Sequence, residues 1–418
     1  MKINRESVMD SFTKLPLEIA LAILTRVPVE TVLDCKSVCR NWRKIVDIAS
    51  KDQLFIQAHL YHLNQPSAAE DSCKLGFLAL TERGYYYFEY NDNLNYELAE
   101  PIDEKKINTT KIGNGALFVG SCNGLICLAR QENERPVCVY NPLTKEYVVL
   151  PEIRNRIDPY VNPHEYDDWS FGFRYISATN EYNPHEYDDW SFGFGYISAT
   201  NEYKVVGINE SKSNFLEVYI YTIGSGNGWR DLGRNFNLEF SPSHYKKHGS
   251  FASGAIYWIG GVVNKIVTFD LIEEKFCQHV TPPPLPPNRK LVHQTIGVLD
   301  GLLYIAIYDQ GDKLFDIWVL KSKNDNHVKK KGEKHQLLGW SKELRVDEAG
   351  LLAVTKSGGV LTYSSFDEYV NLYDTKASTS EVLWDLDYEV QQVFPHNYTF
   401  VSLKELGEED TEYISQAS

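Results

Sequence analysis

One pattern of strand and turn residues recurs over the C-terminal part of this 418-residue chain. Each occurrence has a small residue and a glycine, a short apolar run, a polar turn, a second apolar strand that ends on Asn or Asp, and a polar pair. The clearest copies occupy residues 122–151, 253–280, 300–321 and 357–383. Gly254, Gly301 and Gly359 align between three of them, at separations of 47 and 58 residues. These intervals are close to the roughly 50-residue length of one blade in some β-propellers.

Repeats of four antiparallel strands, closed in a ring, leave few exposed strand edges. The chain contains 27 Tyr, 19 Phe and 8 Trp but only 2 Met, and aromatic residues favour strands. We therefore predict a β-propeller of five to six blades over residues 73–403. An open stack of antiparallel sheets is the alternative that the same pattern permits.

Residues 15–49 follow a different, helical period. A Leu-Pro pair opens the first helix, with the proline at the first helical position, where no backbone N–H is needed. A second helix is predicted from about Val29 to Cys35 and a third from about Ser37 to Ala49. The first helix is apolar around most of its circumference, and helices this short bury little area. The stretch therefore needs a partner to cover it.

This helical stretch resembles the F-box family. The resemblance is carried by Leu15-Pro16, Glu18, the stripe of Ile19, Ile23 and Leu24, Val27-Pro28, Leu33, and the run from Val38 to Ile45 that contains Trp42. It implies binding of a Skp1-like adaptor and, through that adaptor, of cullin and RING subunits. The residues that it assigns to adaptor contact are Leu15, Pro16, Ile19, Ile23, Leu24, Leu33, Val38 and Trp42.

Each of these residues could instead be an internal core position of a three-helix domain. For Leu33 and Trp42 the two interpretations are equally supported, whereas Leu15, Pro16 and Ile19 favour contact with the adaptor. A few large apolar anchors, each worth about 1.5–3 kcal/mol, are enough for a tight interface if they cluster.

The C-terminal part resembles the F-box associated region of plant F-box proteins, including relatives of the S-locus F-box and F-box/kelch groups. Its carriers are residues 120–128, 139–151 and 192–206 and the pair Trp229-Arg230. The double glycines of kelch repeats are matched only weakly, so we do not expect true kelch repeats. The resemblance implies a domain that binds a target protein.

The expected fold class is therefore α+β multidomain, with a small N-terminal three-helix F-box followed by a large all-β propeller-like domain. The predicted divisions are a disordered N-terminus at 1–11, the F-box at 12–50, a helical linker at 51–72, the F-box associated β-propeller-like domain at 73–403 and a frayed acidic tail at 404–418.

Residues 162–182 and 183–203 are adjacent copies that differ only at Arg174 and Gly195. The near identity indicates a recent tandem duplication or an error in the gene model. Only one copy can form the strand that leads into Lys204, and we expect it to be the second. The first copy would then be a tolerated insertion at a blade edge or, alternatively, a recognition loop.

Charge and cysteine content exclude several classes of protein. The net charge of −15 argues against nucleic acid and anionic membranes as partners. Seven cysteines without C-x-x-C spacing indicate free thiols in a reducing compartment, and they suggest no metal site or other cofactor. Without a signal peptide or a membrane-spanning run, we expect a cytoplasmic or nuclear location.

The sequence contains none of the common catalytic motifs, so we expect a non-catalytic protein. The leading hypothesis is the substrate-recognition subunit of an SCF-type E3 ubiquitin ligase, with an unidentified target protein. One alternative is a glycan-acting hydrolase, which needs two carboxylates facing each other in the central cavity of the propeller. The other is a helix-turn-helix DNA reader that would use Arg40, Arg43 and Lys44.

Overall fold

The structure is a computed structural model, and it describes residues 15–63, 74–81, 84–91, 105–107, 116–130, 136–153, 190–210, 216–235, 248–260, 265–277, 280–283, 294–322, 338–355, 357–364, 368–385 and 389–414. Within these ranges the helices come first and the strands follow. The helices are α1 (Leu17–Leu24), α2 (Val29–Asp34), α3 (Arg40–Ala49) and α4 (Gln53–Leu63).

The helix boundaries differ from the predicted ones by a few residues. Pro16 precedes α1 with extended backbone angles (φ −54°, ψ 145°) instead of occupying its first helical position. α3 begins at Arg40 rather than Ser37, because a 3-10 turn at Cys35–Ser37 intervenes and Cys39 is extended (φ −163°). Residues 53–63 of the predicted helical linker form α4, and its residues 64–72 lie outside the described residues.

The strands, in chain order, are β1 (Lys74–Thr81), β2 (Gly84–Asn91), β3 (Lys105–Ile107), β4 (Ala116–Cys122), β5 (Leu125–Arg130), β6 (Pro136–Tyr140), β7 (Glu146–Val149), β8 (Trp190–Ile197), β9 (Glu202–Glu210), β10 (Leu216–Thr222), β11 (Trp229–Asn235), β12 (Ser250–Ala252), β13 (Ala255–Ile259), β14 (Ile266–Asp270), β15 (Lys275–Phe276), β16 (Gln294–Leu299), β17 (Leu302–Asp309), β18 (Leu314–Ser322), β19 (Leu338–Val346), β20 (Gly350–Val354), β21 (Val360–Tyr363), β22 (Tyr369–Asp374), β23 (Thr379–Asp385), β24 (Val390–Pro395) and β25 (Glu412–Tyr413).

These strands form six antiparallel sheets. From the centre outwards, blade 1 is β24-β1-β2-β3, blade 2 is β4 to β7 with β25 outermost, and blades 3 to 6 are β8 to β11, β12 to β15, β16 to β19 and β20 to β23. The innermost strands contact one another in the cyclic order β4, β8, β12, β16, β20, β24 and back to β4. The sheets therefore close a ring, which confirms the predicted propeller and gives it six blades.

The recurring glycine belongs to the tight turn between the first two strands of a blade. Ser253-Gly254 and Asp300-Gly301 have positive φ at both residues (49° and 81°, 50° and 75°). This is the turn geometry that matches the twist of a two-residue hairpin and favours glycine. In blade 6 Gly359 also lies directly before the second strand, but the glycine with positive φ is the preceding one, Gly358 (87°).

The recurring Asn or Asp that ends a strand caps a five-residue loop. Its side-chain Oδ1 accepts a hydrogen bond from the backbone N–H two residues later, at distances of 2.7–3.0 Å. These residues are Asn141, Asp270, Asp309 and Asp374. The fourth residue after each of them has positive φ, between 50° and 62°. The sequence pattern thus reports side chains that hold local turns.

The apolar core lies between the blades. Trp258 and Phe269 of blade 4, both at most 1% exposed, pack against Ile197 and Ile220 of blade 3. Similar layers separate the other blades, and the layer between blades 2 and 3 continues into α1 to α4. The helices and the propeller therefore share one core.

The strand that leads into Lys204 comes from the second of the two adjacent copies, as the sequence predicted. β8 pairs with β9 from Trp190 opposite Asn209 to Ile197 opposite Glu202. Gly195 explains the choice of copy, because a Cβ atom there would lie 2.4 Å from Phe251 and 2.6 Å from Leu271. An arginine, as at Arg174 of the first copy, does not fit this position. The first copy lies outside the described residues.

The predicted frayed acidic tail is wrong as far as residue 414. Glu408 is only 7% exposed and accepts hydrogen bonds from the Tyr221 hydroxyl at 3.2 Å and the Gly224 N–H at 2.7 Å. Beyond it, β25 adds an edge strand to β7. We call residues 396–414 the C-terminal strap. The rest of the predicted tail, residues 415–418, lies outside the described residues.

Replacing Gly224 by alanine should loosen the strap. Gly224 has φ +77°, and a Cβ atom there would lie 1.7 Å from the Leu406 carbonyl oxygen, so the strap must shift and the bond to Glu408 is lost. Gly226 is a matched control, with φ +67° and nothing within 4 Å of the added Cβ. Because a hydrogen bond to a charged group is worth about 1.5–3 kcal/mol, Gly224→Ala should cost about that much more than Gly226→Ala in urea unfolding. Equal costs would contradict this account of the strap.

Candidate protein-binding surface

α1 has two apolar faces, and only one of them is covered. Ala20 and Leu24 are 1% and 2% exposed and lie against the other helices. Ile19 and Ile23, also four residues apart, are 49% and 41% exposed. Exposed pairs of large apolar residues on a short helix indicate a surface that another molecule covers.

The exposed patch extends beyond α1. Pro16 is exposed, Leu15 is half-buried, and Val38, which follows the 3-10 turn, is 47% exposed. Leu17 is 40% exposed and was not among the predicted contact residues. The sequence signal that could have identified Leu17 as a contact residue was its position next to Pro16. We call the predicted contact residues that lie outside the core cluster the apolar helix patch: Leu15, Pro16, Ile19, Ile23 and Val38.

Three predicted contact residues lie inside the helical module. Leu24 is buried, Trp42 is 8% exposed, and Leu33 is half-buried against the same cluster. Trp42 shares its side of α3 with Val46 and Ala49, both fully buried. Within the free chain these side chains support the helices from below the patch.

Charged side chains occupy the exposed side of α3 and the 3-10 turn before it. Lys36 forms an ion pair with Asp47 at 2.9 Å, and the hydrogen bond from Lys36 lowers the pKa of the Asp47 carboxyl. The Arg43 Nε donates to the Lys36 carbonyl oxygen at 3.4 Å. Arg40 and Lys44 are also exposed, so α3 presents charged side chains of both signs to the solvent.

α4 joins the helices to the propeller. The Phe55 and His59 rings stack with centroids 5.7 Å apart, and both face Phe400 of the C-terminal strap at 6.3 and 5.8 Å. The His59 Nε2 donates to the Val27 carbonyl oxygen at 2.9 Å, and burial lowers the pKa of its ring. A neutral histidine thus ties α4 to the segment between α1 and α2.

The helices sit on one defined face of the propeller. We call it the turn face, because it carries the tight turns Asn123-Gly124, Ser253-Gly254 and Asp300-Gly301. The Thr399 hydroxyl donates to the Asn123 carbonyl oxygen at 2.8 Å, and the neighbouring Phe400 contacts α4. The opposite face, where innermost strands begin at Trp190, Ser250 and Gln294, is the entry face.

The described residues offer little support for the glycan-acting hydrolase. The six innermost strands contain no Asp or Glu, so the facing carboxylates of a glycosidase are not on them.

No group of three or more possible metal ligands occurs in the described part of the chain. Its six cysteines are free. No described helix is long and apolar enough to cross a membrane.

An apolar helical patch fixed to a closed six-bladed propeller defines a two-part protein whose helical part carries an exposed apolar surface. The sequence matches the family described as F-box associated beta propeller domain over residues 74–401 and the F-box-like family over residues 12–55. The chain therefore belongs to the F-box proteins that carry an F-box associated propeller domain. This membership supports a general role as an SCF substrate adaptor, because an F-box implies binding of a Skp1-like adaptor.

The curated relatives are F-box proteins of Arabidopsis thaliana. "F-box protein At3g07870" is 26% identical over 74% of this chain and 69% of its own length. "Putative F-box/kelch-repeat protein At1g13200" is 23% identical over 89% and 86%. "F-box protein DOR" is 22% identical over 82% and 79%. A solved structure of a protein of unknown function from Bacteroides thetaiotaomicron aligns with 76% of this chain and 74% of its own at 11% identity, with a TM-score of 0.33, too low to establish a shared fold.

Proposed function

We propose that this chain is the substrate-recognition subunit of an SCF-type E3 ubiquitin ligase. In this function the helices bind a Skp1-like adaptor, which connects the chain to cullin and RING subunits, and the propeller binds a target protein for ubiquitination. The chain itself is non-catalytic, and the recruited conjugating enzyme acts on a target held close to it. The single observation that carries the proposal is the apolar helix patch, where Ile19 and Ile23 remain exposed while the opposite face of α1, with Ala20 and Leu24, packs in the core.

In the adaptor complex, Leu15, Pro16, Ile19, Ile23 and Val38 are the direct contacts. Leu24, Leu33 and Trp42 contribute by holding α1 and α3 in place. The accessible part of each of these side chains also contacts the adaptor. The target binds the entry face of the propeller, because the helices and their adaptor occupy the turn face. A bound target is then not blocked by the adaptor.

Changing Leu15 and Pro16 together to alanine should weaken adaptor binding. Losing most of two apolar contacts costs about 2–4 kcal/mol, which is roughly 30- to 1000-fold in Kd. Co-purification of the full chain with a co-expressed Skp1-like adaptor measures this loss. Ile272→Ala, at an exposed apolar position of blade 4 that is 63% exposed, is the control and should bind normally. Undiminished co-purification of the double variant would show that the docking assignment is wrong.

The target can be found by proximity labelling in cells. A full-length variant with both Ile19 and Ile23 changed to glutamate keeps the core that the helices share with the propeller but should not join a ligase, so it should label targets without lowering their abundance. The same labelling also tests our proposal that the protein works in the cytoplasm or nucleus and has neither nucleic acid nor membrane as its main partner.

A further inference from the structure

We propose that the C-terminal strap, residues 396–414, is a positioning element that fixes the orientation of the adaptor-binding helices on the propeller, and that Phe400 is the side chain through which it acts. The inference rests on the proposed function, since it concerns how the adaptor is held relative to the target. Residues 404–414 of the strap were predicted to be a tail, whereas residues 396–403, which include Phe400, were predicted to belong to the propeller domain.

The strap is tied firmly to the propeller. Beside blade 1 the His396 N–H donates to the Gly76 carbonyl oxygen at 2.8 Å. In blade 2 the Glu146 carboxylate, 5% exposed, accepts from the Leu403 N–H at 2.7 Å and from the Ser402 and Tyr413 hydroxyls. Blade 3 holds the strap at Glu408, whose carboxylate accepts hydrogen bonds from the Tyr221 hydroxyl and the Gly224 N–H. The strap therefore takes its position from three blades.

Around residue 400 the strap presents its backbone to the propeller and a ring to the helices. The Asn141 Nδ2, fully buried, donates to the carbonyl oxygens of Thr399 and Val401 at 3.1 and 2.6 Å. Between these two residues, Phe400 is 4% exposed and lies against Phe55 and His59 of α4. One blade 2 side chain thus sets the place of the ring that meets the helices.

A second strap residue also lies near the helical module. The Tyr398 ring packs on Tyr87 of blade 1, with centroids 4.3 Å apart. Burial chiefly raises the pKa of the Tyr398 phenol, and the Glu30 carboxylate of α2 raises it further. The same ring packs against the core cluster that α1 to α4 share with the propeller.

The covalent connection alone does not fix the helices. Ten residues, 64–73, join α4 to β1. Ten residues can span up to roughly 35 Å, which permits many orientations. Side-chain packing removes that freedom, and the strap contributes a contact between two parts of the chain more than 300 residues apart, Phe55 and Phe400.

Hydrogen exchange on the full chain, with and without a Skp1-like adaptor, tests the proposal. Phe400→Ala should raise the exchange of the α4 amides about tenfold or more while β8 to β23 keep their protection. In the adaptor complex, small-angle scattering should give a larger radius of gyration than wild type. Adaptor affinity should change by less than about threefold, because Phe400 is not in the apolar helix patch. Phe400→Leu, which keeps most of the apolar volume, should restore α4 protection.

Phe55→Ala removes the same contact from the helix side and leaves the hydrogen bonds of the strap intact. Phe400→Ala could also disrupt β24 and thereby open the ring of blades. In that case the Phe55→Ala variant decides the test, because it affects the docking of α4 and leaves β24 unchanged. The double variant should exchange no faster than the faster single variant, because both remove one contact. Wild-type α4 protection and scattering in Phe55→Ala would overturn the proposal. Failure of the wild-type chain to bind the adaptor would instead contradict the proposed function and leave the strap contact standing.

Discussion

A chain that ends at Glu389, immediately before β24, is expected not to form a soluble propeller. β24 is the innermost strand of blade 1, and its residues pair with β1 from Val390 opposite Thr81 to Pro395 opposite Phe77. Val390 and Val393 are 0% and 4% exposed in the layer between blades 6 and 1. Without β24 the inner edge of β1 is unpaired, two neighbouring blades lose their packing, and the strap is lost as well. The summed loss exceeds the 5–15 kcal/mol that stabilises a typical domain.

Two further truncated chains, which end at other residues, allow the contributions of β24 and of the strap to be measured separately. A chain that ends at Ile414 keeps every contact described above and should melt like the full chain. A chain that ends at Pro395 keeps β24 but lacks the strap, so it should stay soluble and melt at a lower temperature. Solubility, near-ultraviolet circular dichroism and dye binding to exposed apolar surface distinguish the three chains. A cooperative, wild-type melt of the chain ending at Glu389 would show that β24 does not close the ring.

The same closure explains why the sequence predicted a propeller but not its number of blades. The turns and loops of a blade are local, since Asp270 and Asp374 each cap a loop within four residues of themselves. These signals recur in the sequence and identify the repeat. Blade 1 has no such contiguous copy, because its inner strand is near the C-terminus and its outer strands begin at Lys74. Counting copies along the chain therefore undercounts the blades.

The binding surface was predictable as a stretch but not as a set of side chains. Ile23 and Leu24 are adjacent and both apolar, yet one is 41% exposed and the other 2%. A helix that is apolar around most of its surface does not reveal which side its own chain covers, because that depends on α3 and on the shared core. The strap was missed for a related reason. The charge of Glu408 predicted a solvent-exposed side chain. The Gly224 N–H that donates a hydrogen bond to it is 184 residues away in the sequence.

The second large effect is expected at the apolar helix patch, where changing both Ile19 and Ile23 to glutamate should abolish detectable adaptor binding. Each isoleucine loses about 1.5–3 kcal/mol of apolar burial, and each new carboxylate must also be stripped of water in the interface. The total is at least about 5 kcal/mol, or more than a thousandfold in Kd. Titration calorimetry with a purified Skp1-like adaptor measures it.

The fold itself should tolerate these two charges, because both side chains are already 40–50% exposed and the covered face of α1 is unchanged. We expect the melting temperature of the double variant to stay within about 2 °C of wild type. Ile272→Glu is the matched control, since it adds a charge at an exposed isoleucine of blade 4 and should bind the adaptor normally. Loss of binding together with loss of folding would point to a core role for α1. Normal binding by a folded Ile19→Glu/Ile23→Glu chain would place the adaptor on another surface, and the exposed face of α1 would then need a different partner.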